Sequence, residues 1–184
     1  MNARTHGQVK VVGAGLIGTS IGLALQKLQV DVAIEDVSPA NQMLAIDYGA
    51  GRAVSSEDSP NLIIVCVPPD VTAAVVAREL EAHPEAFVTD VASVKSAILE
   101  QLRQNGSDLS RYVGSHPMAG RERGGAASGR ADLFFGRVWV VVPSETSSAK
   151  ARQAVENLAL DLSSAPVEAS AAEHDRAVAF VSHV

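Results

Sequence analysis

The chain has 184 residues, 47% of them hydrophobic and 20% charged, which suits one folded domain with a real core, or one domain plus a piece of another. A net charge of −6 and an aromatic content of 4% argue against a nucleic-acid surface, which needs a positive footprint and rings for bases to stack on. Cys66 is the single cysteine, so no internal disulfide is possible; it reads as a small core residue in a reducing, cytoplasmic setting.

The opening "MNARTHGQVK" and the following "VVGAGLIGTSIGLAL" imitate a secretory signal, with a basic start and an uncharged apolar stretch. The stretch is bounded by Lys10 and Lys27, too short to span a bilayer, and it contains Gly13, Gly15, Gly18 and Gly22. It reads instead as a buried strand, "QVKVV", then a glycine turn, then the helix "LIGTSIGLALQKL". "VDVAIED" is a second strand. "SPANQMLAIDYGA" is a helix with Ser38 to cap it, Pro39 at its first position and Gly49 to stop it.

Next come the near-continuous apolar strand "NLIIVCV", closed by Pro68 and Pro69, and the helix "DVTAAVVARELEA". The strand "AFVTDVA" precedes the helix "SVKSAILEQLRQNG", and "RYVGS" and "RVWVVVP" are further strands before the helix "SAKARQAVENLALDL". Strands buried on both faces and alternating with helices predict an α/β fold with a doubly wound, mostly parallel sheet of the Rossmann type. A dinucleotide-binding domain is expected over residues 1–168. The last piece, "AAEHDRAVAFVSHV", is helical in pattern, and its apolar spacing is still running at Val184. Residues 169–184 are therefore expected to be the first helix of a truncated second domain.

Gly13, Gly15 and Gly18 form G-x-G-x-x-G after a strand and at the opening of a helix, the setting in which that weak motif becomes informative. Gly13 permits the tight turn, Gly15 admits a pyrophosphate to the backbone, and Gly18 lets helix and strand pack closely. The N–H groups of the first turn, at Leu16 and Ile17, face the phosphate charge. Asp36 lies 23 residues beyond Gly13 and is placed to bind the ribose hydroxyls, with Glu35 as the alternative. No basic residue in "VSPANQ" could receive a 2′-phosphate, so NAD is favoured over NADP. Val67 and Pro68 suit the apolar cover of a nicotinamide.

The site is expected beyond the carboxyl ends of the strands, where "VPPD", "DVASVK" and "GSHPMAG" converge. Ser93 reads either as a ligand of histidine, substrate or nicotinamide or as the N-cap of the helix after it, roles that are compatible. His116 closes a strand, where a neutral imidazole can take a proton from an alcohol while hydride leaves the same carbon.

These segments resemble the prephenate and arogenate dehydrogenases of tyrosine biosynthesis. The resemblance rests on "GAGLIGTSIGLAL", "VCVPP", "TDVASVKSAI", "GSHPMAGRERGG", "LFFGRVWVVVP" and "HDRAVAFVSHV", in the family's order over nearly the whole chain. It implies an NAD-dependent oxidative decarboxylation without a metal, in which His116 binds and deprotonates the ring hydroxyl and Ser93 orients that histidine. Glu122 matches an acidic residue thought to gate or polarise the site, or else is a solvated loop charge. Arg121 and Arg123 depart from the family pattern and read as solvated. His183 is a candidate substrate ligand on the face of Arg176. His174 is nine residues from His183, about 900° around a helix, and reads as a surface residue. The expected partner is a small substrate, prephenate or arogenate, with neither nucleic acid nor membrane, and the resemblance implies a homodimer for the full-length protein. Other Rossmann dehydrogenases of the β-hydroxyacid or imine reductase type, and a non-catalytic NAD-binding module, are the alternatives.

Overall fold

The computed structural model describes residues 2–119 and 124–182. Among the described residues, eight strands form two sheets, accompanied by six α-helices. The first sheet is wholly parallel, in the order β3-β2-β1-β4-β5, from β1 (Val9–Val12), β2 (Val32–Glu35), β3 (Arg52–Ala53), β4 (Leu62–Val65) and β5 (Phe87–Asp90). That is the strand order of the Rossmann half-fold. The second sheet is β6-β7-β8, from β6 (Val113–Pro117), β7 (Val138–Pro143) and β8 (Ala165–Glu168). A parallel bridge between Val88 and Tyr112 joins β6 to β5.

The crossover helices are α1 (Leu16–Lys27), α2 (Pro39–Asp47), α3 (Pro69–Ala82), α4 (Ser96–Gln104) and α5 (Ala149–Asp161), followed by α6 (Ala171–Ser182). Side chains alternate across a strand, so each strand feeds two cores. In β4, Leu62 and Ile64 join the core under α1 and α5, while Ile63 and Val65 join the one under α3 and α4. All four are buried, hence the unbroken apolar run in the sequence. Ser38 caps α2 by accepting the N–H of Asn41, with Pro39 in the first turn, and Ser148 caps α5 through Ala151 N–H.

Two features depart from the sequence reading. β7 runs antiparallel to β6, and β3 and β8 are additional strands. β3 has only two residues and β8 is largely exposed, so neither carries an apolar pattern to read. Among the described residues, no helix is long and apolar enough to cross a membrane.

Candidate functional site

Gly13 has φ +106°, and a Cβ there would lie 2.1 Å from the carbonyl oxygen of Cys66, so only glycine fits. Gly18 is held by packing: a Cβ would meet the Gly13 carbonyl oxygen at 1.9 Å. Gly15 is different, because nothing lies within 4 Å of the place its Cβ would take. It is also the N-cap of α1 and offers no side-chain acceptor, which leaves the first-turn N–H groups, including those of Leu16 and Ile17, without a cap. Open space before an uncapped helix N-terminus fits a pyrophosphate.

The two carboxylates at the end of β2 separate cleanly. Asp36 turns to the glycine loop, its Oδ2 accepting Ala14 N–H at 2.7 Å and its Oδ1 accepting Ser38 N–H at 2.8 Å. Glu35 is drawn away to Arg78 at 3.1 Å and Lys10 at 3.5 Å, both of which also pair with the buried Glu79. Of the two acids, Asp36 is the one beside the phosphate loop. Val67 and Pro68 lead from β4 into α3, with Pro68 as its N-cap. Burial pushes the Cys66 thiol up, with the Asp90 charge adding to it, so this cysteine is no thiolate nucleophile.

His116 is half-buried near the end of β6, paired with Val140 of β7. It lines a cavity of about 460 Å³ with Ser93, Met118, Arg137, Val178 and Val181. The structure thus brings Ser93 and His116 to one cavity, although no hydrogen bond joins them. Arg137 enters from the start of β7, an exposed cation that the sequence reading passed over. Burial pulls the His116 imidazole down to about 4, helped by the neighbouring His174 and Lys95 and opposed by Asp90 and Asp175. The ring is therefore neutral near pH 7.

Two expectations are corrected. Ser93 is not the N-cap of α4, which starts three residues later at Ser96. Asp175 of α6 does that work, its two oxygens accepting Lys95 N–H and Ser96 N–H at 3.0 Å each. His174 is not on the surface; it is 2% exposed, with Nε2 2.9 Å from His116 Nδ1 and Nδ1 2.8 Å from Asp175 Oδ1. The rings meet edge to face, with centroids 5.1 Å apart. Burial disfavours the Asp175 charge, yet hydrogen bonds from His174, Ser96 and Lys95 outweigh it and hold the carboxyl below its usual range.

A second polar cluster lies beneath His116. The buried Lys95 ammonium pairs with Asp90 Oδ2, while Tyr112 O–H donates to Asp90 Oδ1 at 2.6 Å. Burial pulls the Lys95 ammonium down against the pull of Asp90, and it pushes the Tyr112 phenol up. Gly114, two residues before His116 on the same face, makes room: its Cβ would lie 2.9 Å from the Tyr112 hydroxyl and 3.3 Å from the Lys95 chain. Glu122, Arg121, Arg123 and His183 lie outside the described residues.

The family model described as "Prephenate dehydrogenase, nucleotide-binding domain" matches residues 21–167. The chain belongs to this family. A probable prephenate dehydrogenase of Streptomyces niveus, NovF, is 40% identical over 92% of this chain and 47% of its own length. The prephenate dehydrogenase of Bacillus subtilis is 30% identical over 95% of this chain and 50% of its own. The chain thus spans about half the length of these curated relatives. A crystal structure of Aquifex aeolicus prephenate dehydrogenase with hydroxyphenyl propionate and NAD+ superposes with a TM-score of 0.88, covering 97% of this chain and 65% of that one. At 24% identity that likeness concerns the fold.

Proposed function

We propose that this chain is the cofactor-binding, proton-accepting part of an NAD-dependent prephenate or arogenate dehydrogenase, and that His116 is its base. The observation that carries the reading is a neutral, half-buried imidazole on a cavity at the carboxyl edge of the sheet, shared with Ser93. Gly13, Gly15 and Gly18, with the first-turn N–H groups of α1, would hold the pyrophosphate, and Asp36 the ribose hydroxyls. Val67 and Pro68 would cover the nicotinamide, with Ser93 at its edge.

NAD, when bound, supplies the hydride acceptor. His116 takes the proton of the ring hydroxyl while the hydrogen on the same carbon departs with its electron pair. The bond from ring to carboxylate then breaks, its pair entering the ring as carbon dioxide leaves, and the dienone becomes an aromatic phenolate. That phenolate recovers the proton. Ser93 donates to the hydroxyl oxygen and fixes the ring, while Arg137 brings positive charge to the cavity for a substrate carboxylate. Aromatisation supplies the driving force, so the protein need only bind, orient and hold one proton.

The test is NADH formation with prephenate and arogenate side by side, in the unmodified enzyme and in His116→Asn. Loss of the base should lower turnover about 10²–10⁴-fold with NAD affinity nearly unchanged. A variant within about threefold of normal turnover, well under that range, would return His116 to a packing role.

A further inference from the structure

We propose that His174 and Asp175 are positioning residues that fix the proton of His116 on Nδ1 and leave Nε2 as the accepting atom. The inference deepens the reading of His116 as base and rests on it. Its logic follows from what each atom can do in a hydrogen bond. A carboxylate only accepts, so the 2.8 Å contact to Asp175 Oδ1 requires that His174 carry its proton on Nδ1. A neutral imidazole has one N–H, so His174 Nε2 is then an acceptor. The atom 2.9 Å from it is His116 Nδ1, which must donate. A neutral His116 has no other proton, and Nε2 is left with a free lone pair. Two side chains of α6 thereby choose the tautomer of a residue on β6.

The same chain supports the charged state. Once Nε2 has taken the substrate proton, the imidazolium is hydrogen-bonded to His174, with the Asp175 carboxylate behind it. Among the described residues, the charged groups around His116 are Asp90 at the end of β5, Lys95 before α4, Asp175 on α6, and the exposed Arg137 across the cavity. Asp90 and Lys95 are paired with each other, which leaves Asp175 to balance the transient cation. By analogy, this is the role of the aspartate in a serine-protease triad, with a second imidazole interposed. Asp175 is itself pinned by the backbone N–H groups of Lys95 and Ser96, so the ring at the far end inherits a fixed orientation.

The experiment is nitrogen NMR of imidazole-labelled protein at neutral pH, using this chain, with the His116 signals assigned by their loss in His116→Asn. The expected pattern is a protonated Nδ1 and an unprotonated Nε2 on His116. A proton on Nε2, or a doubly protonated His174 donating to His116, overturns the proposal. Asp175→Ala removes the acceptor that fixes the His174 proton on Nδ1. It should leave the His116 proton shared between Nδ1 and Nε2, and a folded Asp175→Ala protein with that proton still confined to Nδ1 also overturns the proposal. Because Asp175 caps α4, that variant is less stable; the unmodified protein decides the question without it. No substrate is needed, so the outcomes separate: the expected tautomer in a protein inactive on prephenate and arogenate refutes the substrate and leaves the positioning role standing.

Discussion

The Asp36 carboxylate accepts the backbone N–H of Ala14 at 2.7 Å, tying the end of β2 to the glycine loop that follows β1. Each carboxylate oxygen retains a second lone pair, so Asp36 can hold the loop and still receive ribose hydroxyls. A 2′-phosphate within ~4 Å would meet ~1–4 kcal/mol of repulsion per unit charge. Asp36→Ala should therefore weaken NAD and narrow the gap to NADP. Calorimetry with both cofactors checks this, and equal affinities in the unmodified protein would remove Asp36 from the ribose site.

Gly18→Ala tests the contact between α1 and the loop. The added methyl would lie 1.9 Å from the Gly13 carbonyl, so helix and turn must separate. Overpacking of this kind costs about 1–3 kcal/mol, and the same shift should displace the N–H groups aimed at the pyrophosphate. The expected result is a lower denaturation midpoint together with weaker NAD binding. Gly15→Ala, where the Cβ meets open space, should leave stability nearly unchanged and weaken the cofactor alone.

The acid response of His116 follows from its depressed value of about 4 against an ordinary 6.5. The unfolded chain takes up this proton first, so the contribution to stability is complete above about pH 6.5 and is lost as pH falls from there to about 4. An NMR titration of the ring should give a midpoint near 4. A midpoint near 6.5 would mean that the ring is solvated and unpaired with His174.

The Lys95–Asp90–Tyr112 cluster should prove costly to break. Lys95→Met leaves a buried carboxylate without its cation, a change worth about 3–5 kcal/mol. Tyr112→Phe removes one donor from the same carboxylate and should cost about 1–3 kcal/mol. Urea unfolding measures both, and a loss below about 0.5 kcal/mol for Lys95→Met would show that Asp90 finds water or another partner.

Arg137 brings a positive charge to the cavity that holds His116. If it receives a carboxylate, Arg137→Ala should raise KM for prephenate while leaving NAD affinity unchanged, with kcat falling less than in His116→Asn. A steady-state comparison of the two variants separates charge recognition from proton transfer.

Local rules explain why parts of the candidate site are legible in the sequence. Gly13, Gly18 and Asp36 belong to one strand-turn-helix-strand unit, where spacing alone fixes geometry. His116 stands out as the titratable side chain of β6, next to the strand's closing Pro117. His174 and Asp175 do not stand out, because their burial depends on α6 docking against α4 and β7, a tertiary event with no periodic trace. The burial of Lys95 against Asp90 has no such trace either, because nothing in the sequence marks that lysine as turned inward. Ser93 has the right chemistry for a cap, but the Asp175 carboxylate, distant in sequence, holds that position.

Alternation along β6 also limits how this protein can be altered. Ser115 is locked to one side by hydrogen bonds to Thr89 Oγ1 at 3.0 Å and the Asp90 carbonyl at 2.8 Å, which leaves Tyr112, Gly114 and His116 the other. Losing one residue between Tyr112 and His116 would turn the imidazole to the face of Thr89, and gaining one would put a serine where the imidazole now stands. The strand acts as a ruler of fixed length. Variation in chain length therefore belongs in the flanking loops, and engineered diversity placed there can reshape the cavity without moving the ring.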